Sequence, residues 1–231
     1  MVQNYDDFVR ELLKTGFSMG GGNDEGIYAV VPFSWNEDHP YDTPVVWHTG
    51  NPDTDPWEWR MRVLDERSDI AYGKFFFKKS GFITEAWFPY FLAARRKGLS
   101  FEEAFLCGTI SQFAKRIYDV IESAGNIPLH TLKDLAHIDK DDKSKFESAL
   151  TELQMKLYIT MSGRQQKTSL TGNDYGWSST VFCTTEKFWG DAVFEKASKL
   201  APEEAVKAIF TQIKSINPSA DDKKVMKFIR G

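Results

Sequence analysis

Cysteine is scarce in this sequence: only Cys107 and Cys183 occur in 231 residues, and no CxxC pair exists. That excludes a thiolate-rich zinc site and a disulfide-stapled scaffold, and buried free thiols are the expected state of both residues. Long apolar runs are lacking too. The hydrophobic stretches are short and carry charges, so no segment reaches the roughly 20 apolar residues that a membrane-spanning helix needs. The first eight residues contain Asp6 and Asp7 but no basic cluster leading into an apolar run, so no signal peptide is expected. Together these absences predict a cytoplasmic protein with no membrane partner. An excess of positive charge is also missing: 29 Lys and Arg face 33 Asp and Glu. A general nucleic-acid coat would be basic, so any nucleic-acid contact must come from a local patch. GxSxG, HExxH and the Rossmann glycine pattern do not occur, which leaves the common hydrolase and dehydrogenase classes unsupported.

What is present is a globular mixture, 42% hydrophobic and 27% charged. Phe8, Leu12 and Leu13 fall at helical spacing between Tyr5 and Thr15, with Gly16 as a stop. Gly20-Gly21-Gly22-Asn23 reads as a plain loop, because no Lys-Ser/Thr follows it and no strand precedes it. Strands are predicted over Ile27 to Phe33 and Pro44 to His48. Asp55 as N-cap and Pro56 at the first helical position predict a helix from Trp57 to Arg67, with Trp57, Met61 and Leu64 on one face. Ile70 to Lys78 and Phe82 to Thr84 are β-prone. Thr84 is positioned to cap a helix from Glu85 to Lys97, and Ser100 with Glu103 forms a capping-box pattern closed by Gly108.

From Ser111 the rhythm changes. A helix over Ser111 to Ala124 places Phe113, Ile117, Tyr118 and Ile121 inward, and an extended piece follows at 126–129. Thr131 is positioned to cap a short helix to His137. A longer helix starts at Asp139 or Asp141, with Phe146, Ala149, Leu150, Leu153 and Leu157 on one stripe. Tyr158 to Met161 and Gly176 to Thr184 read as two strands around a polar tip at 163–173. Helix, extended piece, short helix, long helix and hairpin make the winged-helix order. The C-terminal part reads as helices over Thr185 to Leu200, Ala201 to Ile216, and from Asn217-Pro218-Ser219 through Phe228.

Three sets of side chains are candidates for chemistry. Arg164, Gln165, Gln166 and Lys167 sit on the hairpin, with Lys156 nearby and Lys143, Glu147, Thr151 and Gln154 expected on the outer face of the long helix. Cationic and amide side chains suit phosphate oxygens and groove edges, although an ordinary solvated hairpin reads the same way. Between residues 111 and 190, ten basic residues meet ten acidic ones, which predicts weak, salt-sensitive binding. The second set, His48, Asp55, Trp57, Glu58, Trp59 and Arg60, is the densest polar-aromatic cluster. It could line a cleft that stacks a ring, with a carboxylate as acid or base. The plainer account is a core tryptophan pair with Asp55 as a cap and Arg60 paired at the surface. The third set, His130 and His137, stands too far apart to share a face of one short helix. No metal site and no cofactor are expected.

Two passages carry a family resemblance. One is Phe75-Phe76-Phe77-Lys78-Lys79-Ser80-Gly81-Phe82-Ile83 leading into Trp87-Phe88-Pro89-Tyr90-Phe91-Leu92. The other is the winged-helix order followed by Leu157-Tyr158-Ile159 and Gly163-Arg164-Gln165-Gln166-Lys167. Across roughly residues 40 to 185 the chain resembles AlkZ-like proteins, winged-helix DNA glycosylases that unhook crosslinked or alkylated bases, and it is most similar to a diverged AlkZ-related branch. The resemblance implies a hairpin lying against duplex DNA and a role in repair or in transcription regulation. Those glycosylases carry a Gln-x-Asp or Gln-x-Gln motif in the N-terminal half to position water. Here no glutamine occurs between Gln3 and Gln112, so the motif cannot be carried over. The resulting expectation is an α+β, mainly helical fold. It comprises a mixed N-terminal region (1–108), a winged-helix unit (109–190) and C-terminal helices (191–231). Three functions stay open: a DNA-binding protein without glycosylase activity, a base-excision enzyme in which Glu58 or Asp55 orients water, and a protein-interaction module.

Overall fold

The computed structural model describes residues 2–21, 24–32, 43–168 and 174–231. Helix α1 (Tyr5–Thr15) begins at Asn4, whose side chain accepts from the Asp7 N–H, and ends at Gly16 with φ 93°. An added Cβ at Gly16 would stand 2.0 Å from the Trp87 ring, so both conformation and space demand glycine there. Strand β1 (Phe17–Met19) follows, then α2 (Pro56–Glu66), β2 (Ile70–Phe76), β3 (Lys79–Thr84), α3 (Phe88–Arg96) and α4 (Phe101–Leu106). Ser100 and Glu103 make the full capping box at the start of α4.

The second half runs α5 (Gln112–Ala124), β4 (Ile127–Pro128), α6 (Leu129–Leu135), a 3-10 turn (Lys140–Asp142), α7 (Lys143–Met155), β5 (Ile159–Thr168) and β6 (Asp174–Thr184). Four helices close the chain: α8 (Thr185–Trp189), α9 (Asp191–Ser198), α10 (Pro202–Ile216) and α11 (Asp222–Arg230).

The fold is α+β and mainly helical, around one antiparallel sheet of order β1-β3-β2-β5-β6-β4. Tyr72 pairs with Met161, so β2 of the N-terminal region and β5 of the hairpin belong to one sheet that crosses the 108/109 division. Alternation along the strands sends successive side chains to opposite faces. Ile70, Tyr72, Phe82, Ile159 and Met161 join α1, α2, α5 and α7 in one core; Phe17, Met19, Ala71, Phe76 and Ile83 join α3, α10 and α11 in the other. Each fully buried aromatic or aliphatic side chain contributes about 1.5–3 kcal/mol.

Several expectations change on contact with tertiary structure. Residues 27–32 form no strand (Phe33 lies outside the described residues), and neither do residues 44–48. Val30 N–H donates to the Ser18 hydroxyl and the Ile27 carbonyl accepts from Asn217, so side chains take the places a strand ladder would use. Along α2 the buried face is Pro56, Trp59 and Val63, and Trp57 is exposed. Leu13 is exposed as well. The Thr84 hydroxyl is committed to the Gly16 carbonyl at 2.9 Å, and a turn intervenes before α3 starts beside Pro89. Helix α6 starts two residues ahead of Thr131, at Leu129. The helix expected over Thr185 to Leu200 is broken at Gly190, where φ is 65°. The last helix starts later than expected, capped by Asp221. Cys107 is exposed and only Cys183 is buried; both are free thiols. Of the Gly20–Asn23 loop, Gly22 and Asn23 lie outside the described residues. Gly21 keeps its place against Trp47, whose ring would stand 1.9 Å from an added Cβ.

Candidate nucleic-acid interface

The hairpin β5–β6 is longer than its sequence suggested. Gly163 to Thr168 extends β5, and of the expected polar tip residues 169–173 lie outside the described residues. Two bulges, at Met161/Gly163 and Gln165/Lys167, re-aim the side chains between them. Gln166 closes the hairpin internally: its amide donates to the Gly176 carbonyl at 2.9 Å and accepts from the Ser178 hydroxyl at 2.7 Å. Arg164 points back to α2, with Nη1 at 4.0 Å from Glu58 Oε2 and Nη2 at 3.9 Å from Asp65 Oδ2. Gln165 is exposed and Lys167 half-buried; among the described residues neither side chain makes a hydrogen bond or ion pair.

On the long helix, Lys143 is exposed at the first turn of α7 and is likewise unpaired among the described residues. Lys156, at the other end, is committed to the Thr109 carbonyl and to Glu152 Oε1 at 3.3 Å. Gln154 is buried rather than outward. Its Oε1 accepts from the Lys74 N–H at 2.9 Å and its amide donates to the Leu150 carbonyl, which fastens α7 to β2.

The polar-aromatic cluster separates into three environments. Asp55 is fully buried. Its Oδ1 accepts from the N–H groups of His48 at 3.0 Å and Trp57 at 2.8 Å, and its Oδ2 accepts from the Gly50 N–H at 2.9 Å. Trp59 is in the core, stacked on Phe8 with its indole N–H donating to the Pro52 carbonyl. Trp57, His48 and Arg60 stay together at the surface. The Trp57 and His48 rings are 4.8 Å apart, and the Arg60 guanidinium lies 3.3 Å over the Trp57 ring. Glu58 faces away from them, into a groove of about 350 Å3 lined by Asp53, Glu58, Arg62, Asp65, Glu66 and Arg164. In that groove Arg62 is taken by Asp53 and Glu66, so Glu58 and Asp65 share the single guanidinium of Arg164.

Sequence reasoning missed the two residues that organise the interior. Arg95, half-buried, donates to the carbonyls of Phe75, Met155, Phe228 and Ile229 at 2.6–2.8 Å; desolvation pushes its proton affinity down, to about 9. Arg96, buried, joins Glu186 Oε1 at 2.6 Å, Thr185 Oγ1 at 2.8 Å and the Leu157 carbonyl, with its guanidinium over the Tyr158 ring. The only sequence signal was two adjacent arginines at the end of an otherwise apolar helix. Among the described residues no group of three or more His, Cys, Asp or Glu is placed to hold a metal ion, and no helix is long and apolar enough to cross a membrane.

Comparison with curated proteins returned no match, and comparison with solved structures returned none either. A family model does match, and it spans both halves of the sheet, the hairpin and the C-terminal helices together. Residues 2–230 fit the model described as AlkZ related, and the chain belongs to that family.

Proposed function

We propose that this chain is a DNA-binding member of its family, with α5, β4, α6, α7 and the β5–β6 hairpin acting as a winged helix. The observation that carries the reading is the distribution of uncommitted polar groups. Lys115, Lys145, Lys156 and Arg164 are all paired with carboxylates. Arg116, Lys133, Lys140, Lys143, Lys167 and Lys187 carry no salt bridge among the described residues; of these, Lys143 on α7 and Lys167 on the hairpin, with Gln165 nearby, lie on the two elements that a winged helix presents to DNA. Near-neutral charge over the unit limits binding to a few phosphate contacts, so affinity is weak and falls with salt by about 0.9 in log–log slope for each contact. With no glutamine between Gln3 and Gln112, binding without base release is the favoured form of this reading. Arg164 would trade its long contacts to Glu58 and Asp65 for a phosphate when the hairpin meets the duplex.

One observation favours a second reading. Glu58 and Asp65 share one cation in an open groove beside the hairpin, the setting in which a carboxylate could orient water for base excision. Incubation with alkylated duplex DNA separates the two. Base release by the wild type that is abolished in Glu58→Gln establishes excision; binding with no release establishes a binder.

A further inference from the structure

A tryptophan left outside the core calls for an explanation, and Trp57 is one. Trp59 and Val63 turn the apolar side of α2 into the core, while Trp57 keeps 42% of its surface exposed. Its surroundings are fixed rather than loose. The buried Asp55 carboxylate holds the Trp57 N–H and, in the same stroke, the N–H groups of His48 and Gly50. His48 is thereby kept at φ 63°, a conformation that a non-glycine residue adopts at some cost. Arg60 Nε donates to the Trp57 carbonyl at 2.6 Å, which lays the guanidinium over the indole at 3.3 Å. Arg10, Arg62, Arg67, Arg96 and Arg164 all have carboxylate partners; Arg60 has none among the described residues. The result is a rigid layer of indole and guanidinium, flanked by an imidazole and carrying one positive charge.

We propose that Trp57, Arg60 and His48 form a stacking platform for one unpaired nucleobase of DNA, with Arg60 also taking the adjoining phosphate. An indole and a guanidinium plane both offer faces on which any base stacks, and a cation with no carboxylate partner among the described residues suits the phosphate that accompanies each base. A paired base inside a duplex has both faces covered by its neighbours, so the platform selects unpaired nucleotides. The hairpin lies on a neighbouring side of α2, where Glu58, the next residue along, touches Arg164. This inference rests on the DNA-binding reading above and adds to it a preference for unpaired over paired sites.

The test compares the affinities of the full chain for two labelled oligonucleotides, a fully paired duplex and the same duplex with one extra, unpaired thymine. The wild type is expected to bind the bulged duplex about tenfold more tightly. Trp57→Ala should abolish that ratio, Trp57→Phe should keep most of it, and Arg60→Gln should reduce it. Lys143→Ala/Lys167→Ala should weaken both oligonucleotides by the same factor and leave the ratio alone. A ratio unchanged in Trp57→Ala overturns the platform while DNA binding stands. Absence of binding to either oligonucleotide overturns both.

Discussion

Asp55 is the residue on which the N-terminal half turns, and it acts through its backbone partners. Removing the carboxylate leaves the part-buried N–H groups of His48, Gly50 and Trp57 without their acceptor. Asp55→Ala is therefore expected to cost about 3 kcal/mol or more, read from urea unfolding; a loss below about 1 kcal/mol would contradict the role. The capping half of this was legible in the sequence, because Asp-Pro before an apolar run has a local cause. That the same carboxylate also captures His48 and Gly50 was not legible, since those contacts depend on how the 44–54 segment folds back. The cysteines show a similar division. Burial pushes the Cys183 thiol up to about 11, whereas Cys107 is exposed. A thiol reagent at about pH 8 should modify one cysteine in the native protein and both after denaturation. Because the folded value lies above the ordinary 9.0, Cys183 contributes stability that is full below about pH 9 and is lost as pH rises through 11. Rapid modification of both thiols in the folded protein would contradict its burial.

Among elements, the helices announced themselves best, since caps, glycine stops and periodicity are local. Helices α1, α4 and α5 sit close to where the spacing put them, and Asn4, Ser100 and Ser111 all cap as short polar side chains do. Residues 27–32 and 44–48 form no strand because β-prone residues become strands only when a neighbour completes the ladder, and here Ser18, Asn217 and Asp55 intercept backbone groups. On α2 the apolar residues outnumber the positions on one face, and tertiary packing chose Trp59 over Trp57. Arg95 ties α3 to three other elements, β2, α7 and α11. Its guanidinium sits at the C-terminal ends of α7 and α11, where a cation also meets the negative ends of both helix dipoles. Arg95→Leu removes four hydrogen bonds to part-buried carbonyls, with an expected loss of about 3–5 kcal/mol. Amide hydrogen exchange should rise first in α11, which is docked last in sequence and held at its end by this residue. Unchanged exchange in α11 would show that the apolar contacts of Val225, Phe228 and Ile229 hold it alone.

At the scale of the whole molecule, the continuous sheet makes one body of parts that the sequence suggested reading as a series. Strand β2 pairs with β5, Gln154 of α7 reaches the Lys74 N–H, and Arg164 of the hairpin faces α2. The hairpin is thus braced by the N-terminal region, and its placement relative to Trp57 and Glu58 is set by the fold. No local pattern encodes that juxtaposition, which is why the sequence offered the hairpin and the α2 cluster as separate candidates. The most direct test of the account is the salt dependence of duplex DNA binding, measured by fluorescence anisotropy on the wild type and on Lys143→Ala/Lys167→Ala. Each phosphate contact contributes about 0.9 to the slope of log affinity against log salt. The account predicts measurable binding at low salt, a wild-type decline with a slope of only a few units, and a slope lowered by nearly 2 in the double variant. No binding at low salt, or a double variant indistinguishable from the wild type, would contradict it.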